Sequence, residues 1–462
     1  MSIMYIGWVI IPLMIFLSIK LDISNFVLLT LFTSFFTSTA VAYVEYLDLY
    51  IGLQQFMAGL LICKFIYELI ITKNIKYKNI NVFLTLFILY ASISIFIPLF
   101  FDKTDSYVIG VSSHMDFSPV RFSLSNITQL IYLLLGFIVY FTSYTSIDRE
   151  YSRYEYFMNK FNDAILYSGI SLGVLGIIQM FLNYKIFDLL FRHYNYNIQQ
   201  VDFLNLVVNR PSGPTGEPSF YALALVPILC YVIYNFKNYI KKVNIYIYII
   251  YIFTMVIPLV VSKSSSFLIG MFLFIGILII LAIIKFIKNY KNVKASFLNS
   301  ERRGLILLGI TIFFVISIAI VIYLINTDIF RDFLFKIKGG GVSGSERTIA
   351  LMQHLQVFKD NFLFGVGFGS LRSKDLMSTW LAAMGIVGNT LFAIFLIKQL
   401  YQLFKINKSE TISLAILITI SWGILFISVP EPYYLYLWIY FAIADYVILN
   451  SDKNIYVNKK LK

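Results

Sequence analysis

The run IYIYIIYIFTMVIPLVV at 245–261 contains no charged residue, SKSSS follows at 262–266, and FLIGMFLFIGILIILAII resumes at 267–284. A bilayer core takes about 20 apolar residues per helix. Two apolar runs of nearly that length, parted by five polar residues, read as a pair of membrane helices joined by a tight hairpin or as one re-entrant unit. The same pattern extends in both directions, with apolar runs at 3–19, 23–42, 51–71, 81–101, 124–145, 163–183 and 218–236 before the pair. After it come 304–325, 379–397, 411–428 and 433–449. The expectation is an all-α polytopic membrane protein of about 12–13 transmembrane helices, residues 1–462 forming a single transmembrane domain. The first run lacks a basic flank and a small-residue cleavage site, so it is expected to stay as a helix. Should it not cross, the count is twelve.

Composition agrees. The 462 residues are 59% hydrophobic and 13% charged, and the charged share is roughly half that of a soluble domain. The net charge of +13 would suggest nucleic acid in a soluble protein, but its placement points elsewhere. If the connections alternate sides, Lys20, Lys73, Lys76, Lys78, Arg149, Arg153, Lys160, Lys237, Lys241, Lys242, the cluster from Lys285 to Arg303, Lys398, Lys405, Lys408 and the tail from Lys453 fall on one side. The positive-inside rule makes that side cytoplasmic, and no nucleic-acid partner is expected. Cys63 and Cys230 sit inside apolar runs as small hydrophobes, so neither a disulfide nor a zinc site is expected.

Topology does not account for cations on the other side, which gather in two long external segments, 184–217 and 326–378. Long loops in a compact membrane protein usually carry function. The first segment holds Arg192 and His193 and ends in Arg210-Pro-Ser-Gly-Pro-Thr-Gly-Glu217-Pro-Ser-Phe-Tyr221, just before an apolar helix. The free N–H groups and positive dipole end of such a helix attract anions, and Arg210 adds a fixed charge. The second segment contains Gly339-Gly-Gly-Val-Ser343-Gly-Ser345-Glu346-Arg347. Ser343 and Glu346 have capping-box spacing, and Leu351, Leu355, Phe358 and Phe362 repeat at three and four residues. An amphipathic helix over about 345–361, lying on the membrane surface, is expected. Arg347 and His354 would share one face of it, about 10.5 Å apart along the axis. Phe364-Gly365-Val-Gly367-Phe-Gly369 has no βαβ unit around it, so it reads as a turn returning the chain to the membrane and not as a dinucleotide fingerprint. Lys263, in the SKSSS break, is a cation on the wrong side for a topology signal.

These stretches resemble the O-antigen polymerase and ligase superfamily, the Wzy/WaaL-like integral membrane glycosyltransferases. Arg347, the following helix, and Asp360-Asn-Phe362-Leu-Phe-Gly365-Val-Gly367-Phe-Gly369 are similar to the family's arginine, helix and D-x-P-L-x-G-x-G-x-G segment, with Phe362 in place of the proline. Leu381-Ala-Ala-Met-Gly385-Ile-Val-Gly388 is similar to its L-x-x-x-G-I-x-G helix, and the stretch from Arg210 to Tyr221 to its arginine and proline approach to a middle helix. The resemblance implies a GT-C-like membrane fold in the bacterial inner membrane, an active face that is periplasmic, and an undecaprenyl-diphosphate-linked oligosaccharide as substrate. Membrane lipids and a polysaccharide chain-length regulator are the implied partners. Two departures stand out. Ser262-Lys263 replaces the Ser-Arg of the family's short turn, and no histidine lies between His354 and the Leu381 helix, where ligases carry one just before it, which favours a polymerase of O-antigen or capsule repeat units over a ligase.

A lipid diphosphate leaving group needs cations where its charge develops. Arg210, Arg347, Arg372, Lys263 and Arg192 are the candidates for it, and Glu217 and His354 are the candidate bases for the acceptor hydroxyl. No carboxylate cluster with metal-ligand spacing appears in the external segments, so neither metal nor cofactor is expected. Two other readings remain: a ligase transferring the glycan to lipid A core, and a flippase for the same lipid-linked oligosaccharide. The flippase would need charges buried mid-helix along a pathway, whereas Lys64, Glu68 and Asp445 lie near helix ends.

Overall fold

The computed structural model describes residues 2–45, 49–72, 81–101, 119–148, 154–182, 184–191, 200–203, 206–293 and 341–460. The expected helix at 304–325, the lysines of the 73–80 connection, and Arg192 and His193 lie outside these residues. In chain order the helices are α1 (Gly7–Lys20), α2 (Ile23–Thr33), α3 (Leu53–Thr72), α4 (Val82–Ser94), α5 (Leu124–Asp148), α6 (Tyr154–Phe181), α7 (Tyr184–Phe191) and α8 (Pro218–Tyr234). They continue with α9 (Phe236–Tyr239), α10 (Ile245–Val261), α11 (Ser265–Val293), α12 (Gly341–Asp360), α13 (Leu376–Ile406), α14 (Ser409–Ser428) and α15 (Leu435–Lys460). Seven spans of 18 residues or more are apolar enough to cross a membrane, six within α3, α5, α6, α11, α13 and α14 and the seventh running from α4 on to Phe100, and α1, α2, α8, α10 and the apolar part of α15 are shorter. The chain is therefore a polytopic membrane protein.

Two expectations need correction. The chain is not all-α: β1 (Ser2–Ile3), β2 (Ala40–Val44) and β3 (Leu49–Gly52) form one antiparallel sheet, and β4 (Gln200–Phe203) pairs with β5 (Leu206–Asn209) in another. The run at 23–42 is consequently not one helix. It is helical only to Thr33, and the β-branched, threonine-rich stretch after it turns into β2, as such residues favour. Of the 12–13 expected crossings, the described residues include seven spans of full length and five shorter apolar helices, of which α1, α8 and α10 contain a proline. The hairpin expected around Ser262 is present, its turn held by Lys263 at a left-handed φ of 45°.

The interior is built on α8, α14 and α15. Of the apolar window of α14, 78% is buried inside the protein, against 11% for α11, so α14 is a central post and α11 a peripheral one. Hydroxyls on these posts bond back along their own helix, as they must where water is absent. Ser421 Oγ donates to Leu417 O at 2.8 Å and Ser428 Oγ to Ile424 O at 3.0 Å. Ser266 and Ser428 Oγ also meet at 2.9 Å, tying α11 to α14. Small residues bring α6 against α10, since a methyl on Gly173 would sit 2.5 Å from the Thr254 carbonyl oxygen. That is the close approach membrane helices use in place of a hydrophobic driving force. The charges within the helices are partnered: Lys64 lies 3.6 Å from Glu68, and Asp445 accepts from Tyr140 at 2.6 Å and Gln399 at 2.8 Å.

Candidate functional site

One end of the bundle gathers the 209–217 loop, the Ser262 turn, α12 and the start of α13. Gln179, near the end of α6, organises the loop. Its Oε1 accepts from the backbone N of Ser212 at 2.8 Å and Gly213 at 2.7 Å, and its Nε2 donates to Ser212 Oγ at 3.2 Å. Asn209 donates to the carbonyls of Gln179 and Leu182, both at 3.1 Å, and Ser38 N donates to Pro214 O at 3.0 Å. The approach to α8 is thus a fixed scaffold tied to α6 and to the segment before β2.

From this scaffold Arg210 reaches the carbonyl end of α10, its Nε donating to Ser262 O at 2.6 Å and its Nη2 to Lys263 O at 3.4 Å. A helix C-terminus is the negative end of its dipole, so a guanidinium is well placed there. Lys263 itself is exposed, and the contact it lends to Arg210 comes from its backbone. Glu217 occupies the N-cap position of α8 without capping it, and its exposed carboxylate accepts from Ser219 Oγ at 3.3 Å.

Arg347 arrives from the other candidate stretch. Helix α12 begins at Gly341, so Ser343 lies inside its first turn and not at the expected cap. Arg347, Ala350, His354 and Val357 recur at three and four residues and face the protein, while Leu351, Met352 and Phe362 are exposed alongside. Burial pushes the Arg347 guanidinium below its ordinary range, and the carboxylates of Glu217 and Asp375 push it back up. Arg210 shows the same opposition, burial lowering it and Glu217 raising it. The two arginines, far apart in sequence, therefore both feel the charge of Glu217.

His354 is sealed, with no exposed surface. Its Nδ1 lies 2.8 Å from Ala350 O. A carbonyl only accepts, so Nδ1 carries the proton and Nε2 the bare lone pair. Nε2 is buried and meets no donor among the described residues. Burial holds this imidazole below its usual pKa, the Ala350 hydrogen bond and the charge of Asp375 opposing in part.

The glycine stretch after α12 does more than turn. Helix α13 is broken at Gly385 (φ 59°, ψ −162°), and the chain at 362–367 pairs with the break: Val366 N donates to Ala382 O at 3.0 Å and Gly367 N to Ala383 O at 2.8 Å. In return Ile386 N donates to Phe362 O at 2.8 Å and Val387 N to Leu363 O at 3.2 Å. Tyr90 OH adds bonds to Phe364 O at 2.9 Å and Met384 O at 3.1 Å. Backbone groups freed by the break are thereby satisfied inside the protein, as membrane depth demands. The short first half of α13 is capped by Asp375, which accepts from Ser378 N at 2.8 Å and Ser378 Oγ at 2.7 Å.

The remaining candidates lie apart or are engaged. Arg372 is ion-paired with Glu431, and Lys374 lies 3.7 Å from Glu346. Arg192 lies outside the described residues. Two contributors were not singled out by sequence: Gln179, and Asp375, whose Asp-x-x-Ser spacing before an apolar run is a readable cap signal. No model of a known protein family matches this chain, and no curated protein matches it. What the site offers chemically is two partly desolvated guanidiniums and an exposed carboxylate whose charge reaches both, groups suited to an anionic substrate that also needs a proton removed.

Proposed function

We propose that this protein is a polysaccharide polymerase that transfers a glycan from an undecaprenyl-diphosphate carrier onto a second lipid-linked repeat unit, at the outer face of a bacterial inner membrane. The observation that carries this reading is that Arg210 and Arg347, from distant stretches of the chain, are both partly buried within the influence of the Glu217 charge, together with the family resemblance of the stretches that bear them. The acceptor hydroxyl oxygen attacks the anomeric carbon, the bond from that carbon to the phosphate oxygen breaks, and the diphosphate leaves with the electron pair. Glu217, exposed where His354 is sealed, takes the hydroxyl proton. The guanidiniums meet the charge growing on the leaving group. At an effective dielectric of about 20, one unit pair at about 4 Å contributes about 4 kcal/mol, and arginine keeps its charge while gripping phosphate oxygens in pairs. Diphosphate binding shifts Arg210 from the Ser262 and Lys263 carbonyls to phosphate oxygens.

The test is reconstitution of the purified chain with a diphosphate-linked repeat unit. A ladder of lengthening products, lost on Arg347→Ala and on Glu217→Gln with the variants still folded, supports the proposal. Transfer to lipid A core instead would make the protein a ligase. Carrier translocation without new glycosidic bonds would make it a flippase.

A further inference from the structure

At the opposite end of the bundle, where α8 passes through Asn235 into α9, a hollow of about 320 Å³ opens between α8, α11 and α14. Helix α8, at 1.5 Å per residue, sets it about 25 Å from Glu217. Ile233, Phe274 and Leu278 give it an apolar wall, and Asn235, Lys237 and Ser409 line its polar side. Lys237 is exposed, and so are Lys408, the residue before Ser409, and Lys285 at the same end of α11. Among the described residues at this end, Asp163 is paired with Lys242 at 2.8 Å, and Glu410, which accepts from Tyr154 OH at 3.5 Å, keeps its charge. With Lys237, Lys285 and Lys408 against Glu410, the rim is net positive. Asn235 is 2% exposed and donates to Tyr231 O at 3.2 Å, which fixes its amide and leaves a buried Oδ1 with no donor among the described residues.

We propose that this hollow seats an anionic phospholipid of the leaflet at the lysine-rich end. The phosphate lies at Lys237, one acyl chain runs along Ile233, Phe274 and Leu278, and a headgroup hydroxyl supplies the donor that Asn235 lacks. Each requirement comes from a different wall of one cavity. An apolar surface facing lipid needs no hollow, and a topology-setting lysine needs no orphaned amide beside it. Phosphatidylglycerol meets all three requirements, whereas phosphatidylcholine carries no net charge and no headgroup hydroxyl.

Native mass spectrometry of the full chain, released from detergent with equimolar dioleoyl phosphatidylglycerol and dioleoyl phosphatidylcholine, tests the proposal. One phosphatidylglycerol is expected to be retained in preference to phosphatidylcholine. Lys237→Ala should weaken retention about fivefold, the contribution of one lysine near an anionic surface. Leu278→Trp, which fills the hollow and keeps the charge, should abolish the preference, and Lys20→Ala should leave it intact. Equal retention of the two lipids overturns the proposal. So does an equal loss with Lys20→Ala, which would mean diffuse attraction to a basic surface, and so does indifference to both Lys237→Ala and Leu278→Trp, which would mean that something other than lipid fills the space.

Discussion

Replacing Gly385 with alanine attacks the joint between the broken helix and the strand that mends it. An L-residue at φ 59°, ψ −162° sits at the border of a region only glycine populates freely, at a cost of about 1–3 kcal/mol. The added methyl would lie 2.5 Å from the Leu363 carbonyl carbon and 2.6 Å from Gly365 N, both backbone atoms that cannot swing aside as a side chain would. The strand must retreat, and losing two of its four cross-break hydrogen bonds at about 1 kcal/mol each gives a total near 3–5 kcal/mol. Gly276→Ala is the matched control. Among the described residues nothing lies within 4 Å of its new methyl, and helix propensity favours alanine there by up to about 1 kcal/mol. Titration with a denaturing detergent, followed by tryptophan fluorescence, reads both, because Trp380 lies five residues before the break and packs on Phe87 at 5.2 Å. Gly365→Ala combined with Gly385→Ala should cost less than the sum of the two, since both methyls demand the same separation. If Gly385→Ala unfolds at the same detergent fraction as Gly276→Ala, the account of the joint is wrong.

Three further outcomes follow from the packing and charges. Because burial lowers the His354 pKa below its ordinary value of 6.5, the unfolded chain binds a proton that the folded one refuses. Its contribution to stability is complete above pH 6.5 and declines as the pH falls toward the folded value; His354→Leu should flatten that part of the stability curve relative to the parent protein. Gly173→Leu should force α6 from α10 at a cost of about 1–3 kcal/mol, visible as a lowered midpoint in the same titration. The Arg372 and Glu431 side chains are 35% and 29% exposed, so the screened pair contributes about 1 kcal/mol or less. In a double-mutant cycle of Arg372→Ala with Glu431→Gln, a coupling well above that value would assign the pair a larger role.

Most helices were legible because an apolar run in a bilayer has few alternatives: 245–261 and 411–428 match α10 and α14 almost residue for residue. The 23–42 run was not, since hydropathy is blind to the change of period from helix to strand after Thr33. Glycines 365, 367 and 369 read as a turn, but what they turn against is a broken helix some twenty residues later, and no local pattern carries that pairing. The site was partly legible. Arg210, Glu217 and Arg347 stood out as charges that topology did not explain, whereas the Ser262 carbonyl that holds Arg210 and the amide of Gln179 are backbone and uncharged partners with no mark in the sequence.

The broken α13 also bears on how the chain enters its membrane. A continuous helix brings its own hydrogen bonds and can move from water to lipid alone, but the stretch around Gly385 cannot, because four of its peptide groups are completed by residues 362–367. Those residues leave the ribosome first. The polypeptide is thus ordered so that the mending strand already exists when the gap it must fill is made, and a rearrangement that put α13 ahead of it would send unsatisfied amides into hydrocarbon.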